Sequence, residues 1–238
     1  MELRTQKTTL GLIVLLLVPA ACAAYEFPAR HDHWRGGCAG MLKIDTDGVS
    51  FSQIGNKKTP HRWTWNWTQI QQLEIGDGRM VRLLGYRDRP WLAGKDQPFD
   101  FYLDGRPDLT PVYQLLRGHL DQRFVVRLAD MSGHPLWQLP VKRLAAVRGT
   151  EGTLAVFPDR VVYQSASPWA SRTWRDADIE SISTAGPFQL TVTTLERGGS
   201  FDFQLRQSLP PDNYQALWLR LNRPKGLAIL SDSKESNR

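Results

Sequence analysis

The sequence predicts a mainly β protein in which one unit, about six or seven antiparallel strands followed by a single helix, is built twice. Three observations carry that expectation. The stretch "GMLKIDTDGVSFSQ" at 40–53 returns as "GTLAVFPDRVVYQS" at 152–165, with its apolar residues in the same places. Most of each copy alternates apolar and polar residues, the period of a strand with one buried face. Each copy then closes on a stretch of helical spacing that begins at a proline, which suits a first helical turn because its missing N–H would go unpaired there.

The correspondence runs well beyond that stretch. At an offset of 112 residues Pro28 meets Pro140, Gly37 meets Gly149, Gly40 meets Gly152, Leu42 meets Leu154, Asp47 meets Asp159 and Val49 meets Val161. With small length changes, Trp65 and Ile70 then match Trp174 and Ile179, Val81 and Leu83 match Leu190 and Val192, and "FDFYL" at 99–103 matches "FDFQL" at 201–205. Units of about 100 residues are too long for a solenoid repeat and long enough to bury a core each. The expected organisation is therefore a unit at 26–123, an ordered linker or hairpin at 124–137, a unit at 138–224 and a flexible tail at 225–238.

Residues 1–24 read as an export signal: Arg4 and Lys7 precede the apolar run Leu10–Val18, Pro19 breaks it, and small residues from Ala20 to Ala24 follow. The run is about half the ~20 residues needed to cross a bilayer. Cys22 leaves open a second route to the envelope, lipidation of its thiol, and an uncleaved anchor is a third. Loss of the segment leaves Cys38 as the single cysteine, so the core has to hold the fold without an internal disulfide.

In the first unit Leu42 and Ile44, then Val49 and Phe51, share one face, and Asp47-Gly48 supplies the hairpin turn between them. Trp63, Trp65 and Trp67 alternate, as do 80–84 and 99–103. Pro111 opens a helix carrying Val112, Leu115, Leu116, Leu120 and Phe124; the second unit closes on "PPDNYQALWLRLNR", with Tyr214, Leu217, Trp218 and Leu221 on one face. This order of antiparallel strands and one closing helix, with Trp218 on that helix, resembles the pleckstrin-homology-like superfamily, including GRAM-type and bacterial PH-like domains. The resemblance implies that each unit is a bent antiparallel sheet, a partly open barrel, with its end closed by the helix. It also implies a binding rather than a catalytic role. Members often hold lipid headgroups through basic residues in the first hairpin loop. Here that loop reads Asp45, Thr46, Asp47, Gly48 in one unit and Pro158, Asp159, Arg160 in the other. Acidic tips repel phosphate, so a protein or cell-envelope component is expected as partner rather than a phosphoinositide.

The charge balance, 30 basic to 24 acidic residues, is mixed along the chain, with Arg79, Arg82, Arg87 and Arg89 interspersed with Asp77 and Asp88. A nucleic-acid groove needs a one-signed stripe, and none is present. There is no G-x-S-x-G elbow and no P-loop, so no catalytic residue and no cofactor are expected. Two clusters are singled out. His31, His33 and Cys38 carry metal-ligating chemistry that the second unit lacks, which leaves a metal-binding alternative. Trp63 and Trp67 face Arg172 and Asp176 in the other copy, so their positions tolerate charge and lie near a surface; with His61 and Trp91 they form a candidate contact patch for a partner or for the second unit. A third possibility, lipid binding, requires an accessible apolar space between sheet and helix.

Overall fold

The computed structural model describes residues 24–32, 36–55, 60–76, 79–89, 92–120, 124–145, 148–167, 170–196 and 199–226, by backbone only at 88–89 and 92–95. The expected signal segment up to residue 23, with Cys22, and the tail from 227 lie outside the described residues, as do His33 and Trp91. No helix among the described residues is long and apolar enough to cross a membrane.

The first half contains β1 (Tyr25–His31), β2 (Cys38–Ile44), β3 (Gly48–Gln53), β4 (Arg62–Asn66), a 3-10 turn over Trp67–Gln69, β5 (Ile70–Ile75), β6 (Met80–Arg89), β7 (Leu92–Leu103) and helix α1 (Thr110–Leu116). After β8 (Phe124–Val126) come β9 (Trp137–Arg143), β10 (Thr150–Val156), β11 (Arg160–Ser165), β12 (Arg172–Arg175), a 3-10 turn over Asp176–Asp178, β13 (Ile179–Ser183), β14 (Gln189–Thr194), β15 (Ser200–Leu205) and helix α2 (Pro211–Asn222). The chain is mainly β, as expected.

Hydrogen bonding joins the strands into one open sheet ordered β13-β14-β15-β9-β10-β11-β12-β8-β5-β6-β7-β1-β2-β3-β4. On each side of β8 the order is the same once strands are counted from the start of each half, with the first strand of the half pairing its last. The alternating residues of the hairpins are the buried ones: Leu42, Ile44, Val49 and Phe51 are inaccessible or nearly so, as are Leu154, Val156, Val161 and Tyr163. Each half encloses its own apolar cluster, one around Leu42, Leu73, Phe101 and Leu116, the other around Leu154, Trp174, Phe203 and Leu217. Gly40 and Gly152 hold the second strand of each half close to the third. A Cβ at Gly40 would stand 2.4 Å from the Ser52 carbonyl oxygen and one at Gly152 2.1 Å from that of Gln164, each also striking an aromatic ring, Phe51 or Tyr163.

The stretch expected to be an ordered linker or hairpin contributes a strand to the sheet. Phe124–Val126 forms no hairpin with its neighbours; it enters the sheet, parallel to β5 (Leu73↔Phe124, Ile75↔Val126) and bridged to β12 at Thr173↔Val126. Three buried apolar residues with two β-branched side chains suit an interior strand, and both flanking edges leave backbone groups that need partners. Asp130 and its neighbours tie the chain after β8 to the second half. The Arg160 guanidinium donates to the Asp130 carbonyl at 3.2 Å and lies 3.4 Å from its carboxylate, and Ala129 and Met131 pack on Ala155, Phe157 and Val162. Across the seam Arg127 pairs with Glu74 at 2.5 Å. The two halves are thereby joined by sheet hydrogen bonds and ion pairs rather than by a free tether.

Candidate functional site

The end of the sheet at β4 gathers several of the residues singled out by sequence. His31, the last residue of β1, stands directly opposite Cys38, the first of β2. Both are buried, at 7% and 2% exposure. The ring of His31 packs 5.0 Å from that of Trp63, and His61 packs on Trp63 at the same separation. His31 Nδ1 lies 3.1 Å from the Asp100 carbonyl oxygen. A carbonyl only accepts, so Nδ1 carries the proton. Cys38 Sγ lies 3.6 Å from His61 Nδ1, a residue 23 positions along the chain that the β2–β3–β4 ladder brings back. His31 and His61 thus both pack on Trp63, with Cys38 beside His61, but among the described residues no group of three His, Cys, Asp or Glu side chains is arranged to hold a metal ion.

Trp67 stands just past the end of β4. The strand alternation stops at Asn66, whose side chain accepts from the Gln69 N–H while the Gln69 side chain accepts from the Asn66 N–H, and Trp67 opens the 3-10 turn so capped. Its indole N–H donates to the Thr46 carbonyl at 2.7 Å, strapping the end of β4 to the β2–β3 turn. The turn itself is anionic. Burial pushes the Asp45 carboxyl up, but the Lys43 ammonium and the N–H groups of Asp47 and Gly48 outweigh it and hold Asp45 below the usual carboxylate range.

Trp63 and Trp65 are half-buried and wall a cavity of about 420 Å³, with Phe99 as its floor, Thr68 and Gln69 at one side and Gly85, Tyr86 and Arg87 of β6 at the other. This corner lies between β4 and β6, and among the described residues its lining comes from the first half alone. The second half has a corner with matching contacts. Trp65 pairs across the ladder with Val49 and Trp174 with Val161, and each packs on the equivalent phenylalanine, Phe99 or Phe201, at 4.8 Å. That second corner, walled by Trp174, Thr194 and Glu196, is filled by Phe124, Val125 and Val126, leaving a space of about 10 Å³.

Two further spaces were not legible in sequence. A groove of about 660 Å³ lies between α2 and the β13–β14 turn, lined by Pro187, Leu209, Pro211, Tyr214 and Trp218, with exposed Phe188 in that same turn. Its only advance signal is the i, i+4 pair Tyr214 and Trp218. At the seam, Glu74, Arg82, Asp96, Asp100, Arg127 and Glu196 line a polar cavity of about 400 Å³ in which Arg82 and Asp100 form a two-pronged ion pair. These six side chains come from five segments of the chain, Asp96 and Asp100 sharing β7, so no local motif announces them.

No protein-family model matches the chain, and no curated protein is similar to it in sequence. Among solved structures it is similar to the C-terminal domain of an unknown protein from Leishmania infantum, at 17% identity and a TM-score of 0.31, over 37% of this chain and 84% of that one. It is also similar to the Spt16D Pob3N heterodimer, at 12% identity and a TM-score of 0.29, over 72% of this chain and 83% of that one.

Proposed function

We propose that the chain is an exported, non-enzymatic binding module made of two PH-like units, one sheet-plus-helix design duplicated and fixed in a rigid tandem, which holds a protein of the cell envelope. The observation that carries this reading is the open corner of the first half: about 420 Å³ walled by Trp63, Trp65 and Phe99 at the free end of the sheet, in a fold whose other copy closes the same corner with its own chain. Large aromatic side chains at a concave edge serve as contact anchors. In the His31–Cys38–His61 cluster the cysteine is only 2% exposed, which suits packing better than nucleophilic or metal chemistry. Export is supported by the basic-apolar-small pattern of residues 1–24.

The test is a photo-crosslinking amino acid in place of Tyr86, which is 57% exposed at the rim of the corner, in cells from which envelope extracts are taken. A discrete protein adduct from position 86, missing when the label is moved to the exposed Leu136, is the expected result; identical patterns at both positions end the proposal.

The groove along α2 favours a second reading, lipid binding, because it is the apolar space between sheet and helix which that function requires. Gln215 also lines the groove, and mass spectrometry of lipid extracted from the purified protein decides the reading: stoichiometric lipid that Gln215→Glu removes supports it, and lipid-free protein excludes it.

A further inference from the structure

We propose that the open corner of the first half takes an extended, acidic segment of its partner as an added β-strand on β4. The molecule itself displays such a complex at the matching place. On the outer edge of β12, Thr173 pairs with Val126 of β8, its hydroxyl donates to the Leu128 carbonyl at 2.8 Å and accepts from the Asp130 N–H at 2.9 Å, and the inserted strand fills the corner behind it. Thr64 holds the equivalent position on β4: it stands opposite Ser50, one residue before the matched Trp65, as Thr173 stands opposite Val162, one residue before Trp174. Thr173 is 1% exposed under β8, whereas Thr64 is exposed.

The backbone of β4 is oriented for the same pairing. The Gln53 N–H donates to the His61 carbonyl at 2.9 Å, which marks those residues as a hydrogen-bonded pair of the β3–β4 ladder. Hydrogen-bonded and non-bonded pairs alternate in an antiparallel ladder, so the N–H and C=O of Arg62 and Thr64 face away from β3. No described strand pairs with that edge. An exposed edge beside an apolar pocket is the arrangement in which an extended peptide adds by main-chain hydrogen bonds and is selected by its side chains.

Charge sets the chemistry of the incoming segment. Leu83 sits between Leu73 and Phe99 as Val192 sits between Ile182 and Phe201; four residues further along the chain stand Arg87, which lines the first corner, and Glu196, which lines the second. Glu196 and Arg127, which lies just past β8, face the same seam cavity. In the first half the sign is inverted: Arg62 and Arg87 line the corner, and among the described residues no acidic one does. The segment that fits is therefore apolar where β8 is apolar and carries carboxylates where β8 is flanked by arginines.

The sequence of β8 supplies the probe. Residues 122–128 read Gln-Arg-Phe-Val-Val-Arg-Leu. A fluorescein-labelled peptide Gln-Glu-Phe-Val-Val-Glu-Leu, its basic parent, and the acidic peptide N-methylated at alternate residues are titrated onto the full chain by fluorescence anisotropy. Saturable binding of the acidic peptide is expected, at least about ten-fold tighter than that of the parent and abolished by N-methylation. Thr64→Pro, which removes one outward N–H, and Arg87→Glu each weaken it by about ten-fold or more, and Arg87→Glu shifts preference toward the basic parent. Arg87 is an exposed side chain, so its variant remains informative if Thr64→Pro fails to fold. Absence of saturation up to about 1 mM, or binding indifferent to N-methylation and to both substitutions, overturns the proposal. So does a dimer by sedimentation that Thr64→Pro converts to monomer, because a second copy is then the occupant. The inference rests on the reading of the corner as a protein-binding site. If position 86 yields a specific adduct while no peptide binds, strand addition falls and that reading stands.

Discussion

The guanidinium of Arg175, on β12 of the second half, donates to the carbonyl of Arg117 at 3.0 Å, just past the C-terminal end of helix α1 of the first. It also reaches the Leu120 carbonyl, lies over the Phe124 ring at 5.6 Å, and forms a two-pronged ion pair with Asp178 at 2.6 and 2.8 Å. One side chain therefore satisfies carbonyls just past a helix end across the seam, and neutralises a buried carboxylate on its own side of it.

Replacing Arg175 with Ala is expected to destabilise the protein by about 3–5 kcal/mol, the range for leaving one member of a buried ion pair without its partner. Burial already pushes the Asp178 carboxyl above its usual value even with Arg175 beside it, so its isolation is costly. Arg175→Lys keeps the charge but not the planar fork and should fall between the two. Urea unfolding of the three proteins measures the order.

Gly40→Ala and Gly152→Ala should each cost about 1–3 kcal/mol, because the added methyl meets backbone oxygen within 2.4 Å and strands cannot part without losing ladder bonds. Gly133 has a positive φ of 83° but open space around it, so Gly133→Ala should cost about 1 kcal/mol or less, from backbone strain alone. Equal losses at all three positions would mean that close strand approach is not what the two glycines provide.

Alternation and turn chemistry made the hairpins legible: Leu42, Ile44, Val49 and Phe51 are buried for the reason their spacing suggests, and Pro111 and Pro211 sit in the first turns of α1 and α2. Two features were hidden for physical reasons. Phe124–Val126 is too short for a period of two to be read, and its place depends on edges supplied by residues about 50 positions away on either side. Trp67 continues the sequence alternation but not the strand, because a side-chain cap at Asn66 outweighs the pattern. The His61–Cys38 proximity is a product of ladder register, which a single segment does not reveal.

Tyr113 gives the expected alkaline limit. Burial pushes its phenol up to about 12, and the neighbouring Asp130 carboxylate adds to the shift. The native state keeps the proton at a pH where the unfolded chain, titrating near 10, gives it up. The stabilisation is therefore complete below pH 10 and is lost as pH rises from 10 toward 12, with a slope of at most about 1.4 kcal/mol per pH unit from this group. Tyr113→Phe should flatten that part of the stability curve, read as the urea midpoint between pH 9 and pH 12; an unchanged slope assigns the alkaline loss elsewhere.

Thr64 and Thr173 make the sharpest comparison, since the same residue occupies matched register positions with opposite surroundings. Thr173→Ala leaves the buried Asp130 N–H and the Leu128 carbonyl without their partner and should cost about 1–3 kcal/mol. Thr64→Ala removes an exposed hydroxyl and should stay within about 0.5 kcal/mol. Thermal unfolding of the two variants checks the contrast. A large loss at Thr64 in the isolated protein would show that its edge already bears a contact, and the open corner would then be closed from within rather than available to a partner.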